Sequence, residues 1–253
     1  MLNRNSACIW LPKIEGAGLP CPKTIMIPYD HRACLSVFDG EESVEFDRIC
    51  GEVEKAVELL GTAAFIRTDL TSAKHSGPRA YLTDGVSRES ILRTIEDTEM
   101  KTWLEWNGPQ AIMVRQFLHL EASFTGFNGL PIAREWRFFA DQERVICYHP
   151  YWPAEALEGH VDESENPHWR TTLADMHIDS PEIQELKLMA VKAAQACGSG
   201  QWSVDFAKDI YGKWWLPDMA TAKDSYHWPG CTQGEIFDAV SITSNHAKYT
   251  RLV

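Results

Sequence analysis

The sequence lacks the marks of several large protein classes. No apolar run is long enough to span a bilayer, and the first residues (MLNRNSACIWLPKIEG) do not form a secretory signal. No GxxxxGK[ST] occurs, which excludes a P-loop, and no GxGxxG follows a strand and opens a helix, which argues against a dinucleotide-binding fingerprint. The seven cysteines contain no CxxC pair, are odd in number and lie far apart, so they read as reduced thiols of a cytoplasmic protein. Internal repeats and low-complexity tracts are absent. Positive charge is also scarce. The formal net charge of −12 argues against nonspecific binding to nucleic acid and against an anionic membrane surface. An acidic protein that binds a polyanion must gather its few cations in one place.

What is present suits a folded chain. The 253 residues are 44% hydrophobic and 24% charged, enough for one large domain or two small ones. Residues 1–22 are rich in Gly and Pro and read as an extended lead-in, followed by a short strand over 23–28. The apolar spacing of 43–60 predicts a helix ended by Gly61, and 63–70 predicts a strand. Residues 71–80 read as a loop, and Ser87 caps a predicted helix over 88–98. The segment 111–118 reads as a buried strand and 120–130 as a loop. Segments 132–141 and 144–150 predict a β-hairpin, and 153–170 reads as a polar excursion. Ser180-Pro181 opens a predicted helix whose inner face is Ile183, Leu186, Met189, Ala190, Ala193, Ala194 and Cys197, closed by Gly198. Residues 201–209 and 213–220 predict a second hairpin, with a weak helical pattern over 233–241. Hairpins with helices on one face make an α+β protein, divided here into an N-terminal lobe over 1–110 and a C-terminal lobe over 111–253.

Four clusters carry candidate chemistry. Arg67 ends a buried strand, and Lys74, His75 and Arg79 follow in a loop of small residues, an arrangement that suits a phosphate chain as well as a solvated charged loop. In REWR (134–137) the pleat sends Glu135 and Arg137 to one face and Arg134 and Trp136 to the other, placing charge inside an apolar strand. Asp205 and Asp218 are single acids in two apolar strands that pair. Two facing carboxylates repel unless a cation lies between them, and Mg²⁺ carried with nucleotide phosphates is such a cation. Gln116, Phe117 and Leu118 end a buried strand where backbone groups can meet an adenine edge. His119, His149, His168, His177 and His227 show no HxxxH spacing and read as surface or structural residues. Trp214, Trp215 and Trp228 read first as packing residues.

The order of these parts resembles the ATP-grasp superfamily. LPCPKT (19–24) stands for its opening strand, Arg67 for its phosphate-binding cation and VRQFLHLEA (114–122) for its hinge. REWRFF (134–139) is similar to its acidic-x-Arg strand, and WSVDFAKD and WWLPDMA to its metal-binding strand pair. FIRTDLTSAKHS resembles the cationic loop of a divergent phage and bacterial branch related to the eukaryotic translation-initiation assembly chaperones. The resemblance implies two small α+β lobes whose antiparallel sheets clamp a nucleotide. It implies an ATP- and Mg²⁺-dependent ligase that activates a carboxylate as an acylphosphate for an amine. Arg67 and Lys74 would hold phosphates, Gln116 to Leu118 adenine, Glu135 a neighbouring cation or the ribose, Arg137 the transferring phosphoryl group, and Asp205 and Asp218 the metal. The acceptor is unidentified. The family's metal strand ends in acid-x-Asn, whereas Met219 and Ala220 follow Asp218 here. One ligand is therefore missing, or comes from Asp205, Asp209 or Asp224. That departure leaves open an ATP-binding assembly protein with little catalysis, and a kinase is a third reading.

Overall fold

The computed structural model describes residues 3–61, 63–70, 81–82, 87–102, 108–127 and 129–228. Its elements begin with α1 (Ala7–Gly16), β1 (Thr24–Pro28), α2 (His31–Cys34), α3 (Val44–Leu60), β2 (Ala64–Thr68), β3 (Tyr81–Leu82), α4 (Arg88–Thr102) and β4 (Ala111–Gln116). They continue with β5 (Ala122–Gly126), β6 (Leu130–Ala133), β7 (Glu135–Ala140), β8 (Val145–Pro150), α5 (Ala154–Leu157), α6 (Trp169–Met176), α7 (Ile183–Cys197), β9 (Trp202–Lys208) and β10 (Trp214–Thr221). Two compact units result. One comprises Met1–Cys8, Pro22–Leu118 and Phe127–Leu130, and the other Ile9–Cys21, His119–Gly126 and Pro131–Val253.

The first unit is built on an antiparallel sheet of order β1-β4-β2-β3. Its register places Ile25, Ile27, Ala64, Ile66, Ile112 and Val114 on one face. These side chains pack with Phe46, Ile49, Val53 and Val57 of α3 and Ile91 and Ile95 of α4. As the periodicity predicts, α3 starts where Ser43 Oγ accepts from Phe46 N (3.1 Å) and stops at Gly61, whose φ of 109° suits glycine. The expected lobe boundary at 110/111 separates β4 from its partners. In the structure β4 lies inside the first sheet, because a strand buried at five consecutive positions needs a neighbour on each edge.

Asp69, fully buried beyond β2, ties this unit together. Its carboxylate accepts from the Ser6 hydroxyl, from Gln110 N (2.8 Å) and from Ala111 N (3.2 Å). Its backbone carbonyl accepts from Ala7 N (2.8 Å). One side chain thus fixes both the approach to α1 and the start of β4.

The second unit carries a sheet of order β10-β9-β7-β8, formed by the two predicted hairpins, with α7 packed on one face. The inner face of α7 matches its prediction except at Met189, which is only half-buried. Glu182, just before α7, accepts from Lys208 Nζ (2.9 and 3.0 Å) and Trp214 Nε1 (3.2 Å), which fixes the helix start on the second hairpin. Residues 1–22 are not an extended lead-in. They contain α1, whose buried Ala7, Trp10, Leu11 and Ile14 follow a helical period despite the interior Pro12. Residues 120–130 likewise contain β5 and the first residue of β6, which pair as a two-stranded sheet in place of the expected loop. The excursion 153–170 contains α5 and the start of α6. The predicted 233–241 helix lies outside the described residues. No described helix is long and apolar enough to cross a membrane.

Asp69→Ala leaves the buried Ala111 amide and Ser6 hydroxyl, and the part-buried Gln110 amide, without their acceptor, so unfolding in urea should show a loss of about 2–4 kcal/mol. A loss below about 1 kcal/mol would show that Asp69 is not the tie described.

Candidate functional site

The pleat of the second sheet sorts its residues by face. Trp136, Phe138, Val204 and Phe206 alternate onto one face with Met219, where Phe138 meets Phe206 edge-on at 5.7 Å. Glu135, Arg137, His149, Asp205 and Asp218 fall on the other, because Arg137 stands opposite both Asp205 and His149, and Asp218 opposite Asp205. Charge inside an apolar strand, the signal visible in REWR, is therefore concentrated on a single face. Arg134 leaves the strand and donates to the Met176 carbonyl at 3.1 Å.

Arg137 is the centre of this face. Its Nε and Nη2 donate to Asp205 Oδ1 (2.7 Å) and Oδ2 (2.8 Å), a bidentate pair with side chains only 13% and 7% exposed. Nη1 donates to the Tyr226 carbonyl at 3.1 Å, and the guanidinium lies 4.7 Å over the Tyr151 ring. Burial alone would lower its pKa, but the charge and hydrogen bonds of Asp205, with smaller help from Asp218, raise it above the ordinary arginine value. Glu135, also buried, accepts from Trp152 Nε1 at 3.1 Å.

The two acids do face one another, as their sequence pattern implies, but the cation beside them is Arg137. Arg137 relieves part of the repulsion between them. Asp218 Oδ1 accepts from Met219 N (3.0 Å). The other acids available to replace the missing family ligand have local duties. Asp209 accepts from Tyr211 N, Lys213 N and Trp215 Nε1 at 2.8–2.9 Å and so organises the β9–β10 turn, and Asp224 accepts from the Thr221 hydroxyl. Among the described residues no group of three or more His, Cys, Asp or Glu is placed to hold a metal ion. The donor chemistry of Asp218 and Asp205 suits Mg²⁺, as two hard carboxylates; their number and the commitment of Asp205 do not by themselves make a closed site.

Histidines that look scattered in sequence are collected beside this face. His149 is buried; its Nδ1 lies 2.7 Å from the Pro150 carbonyl and its Nε2 3.4 Å from Trp228 N. Those partners assign the proton to Nδ1 and leave Nε2 as an acceptor. Trp228 stacks on His149 at 5.3 Å, and His177 meets the same indole edge-on at 5.5 Å. His227 Nε2 lies 2.8 Å from Cys147 Sγ. Burial, aided by Arg137, His227 and His177, pushes the His149 pKa down to about 3. A separation of nearly eighty residues between partners hides this cluster from any short motif; only the alternation of Cys147 and His149 on one strand hints at it.

In the first unit, Arg67 and Arg115 lie on the sheet face opposite the helices, diagonal to one another across β2 and β4, and both are buried. Arg67 Nε donates to the Thr68 carbonyl at 3.0 Å. Arg115 was not among the sequence candidates, although a charge inside a strand read as buried was the available signal. Gln116 falls on the helix-covered face, and its amide donates to Lys23 O at 2.8 Å. Phe117 and Leu118, both half-buried, follow the end of β4. Lys74, His75 and Arg79 lie outside the described residues.

Removing one partner of the buried pair strands the other charge. Asp205→Leu should therefore cost about 3–5 kcal/mol in urea unfolding, and Arg137→Met with Asp205→Leu should recover most of it. Additive losses would contradict the pairing. His149 has a folded pKa below its unfolded value of about 6.5, so its contribution is complete above that pH and is lost as pH falls toward 3. Stability should drop by on the order of 2 kcal/mol between pH 7 and pH 5 from this residue, and the drop should shrink by that amount in His149→Gln. An unchanged slope would remove His149 from the account.

No protein-family model matches the sequence, and no curated protein does either. Solved structures do match. C-terminally truncated Cdc123 from Schizosaccharomyces pombe is 13% identical with a TM-score of 0.57, covering 95% of this chain and 98% of that one. A RimK domain ATP-grasp protein from Sphaerobacter thermophilus is 12% identical with a TM-score of 0.46, and an ATP-complexed carboxyaminoimidazole ribonucleotide synthase from Aspergillus clavatus is 11% identical with a TM-score of 0.48. Each match covers 86% of this chain, which spans 59% and 44% of their respective lengths. At these identities the likeness speaks to fold alone: the chain has an α+β architecture of the kind seen in Cdc123.

Proposed function

We propose that this protein binds ATP and uses it, with Mg²⁺, to activate a carboxylate as an acylphosphate for attack by an amine or similar nucleophile. The observation that carries the reading is the pair of buried guanidiniums, Arg67 and Arg115, on the helix-free face of the first sheet. A phosphate oxygen brought to that face would meet strand-borne guanidiniums, and charge-assisted bonds of that kind are strong. The likeness to Cdc123 supports the architecture on which the reading rests.

The roles follow from chemistry. Arg67, with Lys74, holds phosphates, and Arg115 adds a second strand-borne charge. The adenine edge is met by the backbone of Phe117 and Leu118 beside Gln116, whose own amide is engaged by Lys23. Arg137 stabilises charge on the transferring phosphoryl group, and Glu135, held by Trp152, orients the ribose or a neighbouring cation. Mg²⁺ would be held by Asp218 with Asp205 and would supply charge neutralisation on the phosphates. The chain's own part is alignment and neutral surroundings for anionic oxygens.

A second reading has its own support. Ala220 stands where the family pattern has Asn, and Asp209 and Asp224 are committed elsewhere. A two-acid set suits a nucleotide-binding assembly protein with little turnover.

Titration calorimetry with ATP and Mg²⁺ tests the shared premise. Heat of binding should be seen and should weaken at least tenfold in Arg67→Met; no heat with the natural sequence would end both readings. A screen for ADP or AMP release with amino-acid and peptide acceptors separates them. Acceptor-dependent release, lost in Asp218→Ala with the apoprotein melting temperature nearly unchanged, supports the ligase, and binding without release supports the assembly protein. ADP with a stable phosphorylated acceptor would indicate a kinase.

A further inference from the structure

The segment after β10 crosses the charged face of the second sheet. It is rooted by Ser225, whose amide donates to Ala222 O (3.2 Å) and whose hydroxyl donates to Thr221 O (3.3 Å). The next three residues each grip the sheet differently. The Tyr226 carbonyl accepts from Arg137 Nη1 at 3.1 Å. His227 Nε2 meets Cys147 Sγ at 2.8 Å while its ring sits edge-on to Phe139 at 4.9 Å. Trp228 stacks on His149 and donates its amide to Nε2.

We propose that Ser225–Trp228 is an autoinhibitory strap, in which the Tyr226 carbonyl occupies the Arg137 donor that an anionic phosphate oxygen of the ligand takes. With Asp205 on Nε and Nη2 and the strap on Nη1, each nitrogen of Arg137 donates within the chain. The exchange is favourable in direction, since a phosphate oxygen brings the guanidinium a negative charge that a neutral carbonyl lacks. The strap is not one of the strands of the sheet, and apart from its root and an isolated bridge at Tyr226 its described residues are held by the hydrogen bond to Arg137, the thiol–imidazole contact, a long amide bond to His149 and ring contacts with Phe139, His149 and His177, a set confined to three residues that local opening can break together. Release uncovers Cys147, which is 1% exposed in the closed arrangement.

The choice of phosphate as the releasing ligand rests on the nucleotide reading above; the strap itself does not. Timed alkylation of the full chain with iodoacetamide, read by peptide mass spectrometry, tests both. Cys147 should label slowly in the natural protein and at least tenfold faster in Trp228→Ala, with Cys197, buried on α7, unchanged as the control against general unfolding. A nonhydrolysable ATP analogue should accelerate Cys147 labelling in the natural protein. Unchanged Cys147 labelling in Trp228→Ala, or equal acceleration at Cys197, overturns the strap. An analogue that binds by calorimetry yet leaves Cys147 protected overturns its autoinhibitory role. Absence of analogue binding overturns the nucleotide reading alone, and the variant still decides whether the strap exists.

Discussion

The bidentate bond between Arg137 and Asp205 constrains the second unit more than any other single contact. Two charges that far from water are tolerable only if they meet in good geometry, and here they meet because the register of β7 and β9 sets them directly opposite. A slip of β7 by one residue would turn Arg137 into the apolar layer under α7, away from Asp205, and bring Trp136 outward. The pair therefore specifies register as well as neutralising charge. It also decides what Asp218 faces, since that acid stands directly opposite Asp205 on β10 and contributes to the field that keeps Arg137 charged.

The first unit follows the same plan with different residues. Each central sheet spends one face on helices and keeps cations on the other: buried Arg67 and Arg115 in the first, half-buried Arg137 in the second. In the first unit Asp69 plays the organising part, with a carboxylate that reaches the start of β4 and a residue near the chain start. Neither Asp69 nor Asp205 is free to leave its partners without cost.

Much of this was legible in the sequence where local pattern and tertiary context agree. The α3 helix announces itself through Ser43, its apolar period and Gly61, and both hairpins of the second sheet follow from alternation around polar turns. The α1 helix was missed because Pro12 and the nearby glycines outweighed the period of Ala7, Trp10, Leu11 and Ile14, although burial of that stripe overrides a single lost hydrogen bond. The opposition of Asp205 and Asp218 was readable, and so was their need for a cation; that the cation is Arg137 depends on a pairing across sixty-eight positions that no local pattern records. The cluster of His149, His227, Cys147 and Trp228 was hidden for the same reason. Fold likeness to Cdc123 extends over nearly the whole chain at 13% identity, which is what is expected when burial pattern and turn chemistry are retained while individual side chains change.

The account makes Arg137 the residue on which framework, ligand and strap converge. A crystal structure with a nonhydrolysable ATP analogue and Mg²⁺ addresses that most directly. The account predicts a phosphate oxygen within hydrogen-bond distance of Arg137 Nη1, with the Tyr226 carbonyl moved away. An analogue bound with Arg137 still donating to Tyr226, and its phosphates elsewhere, would contradict it.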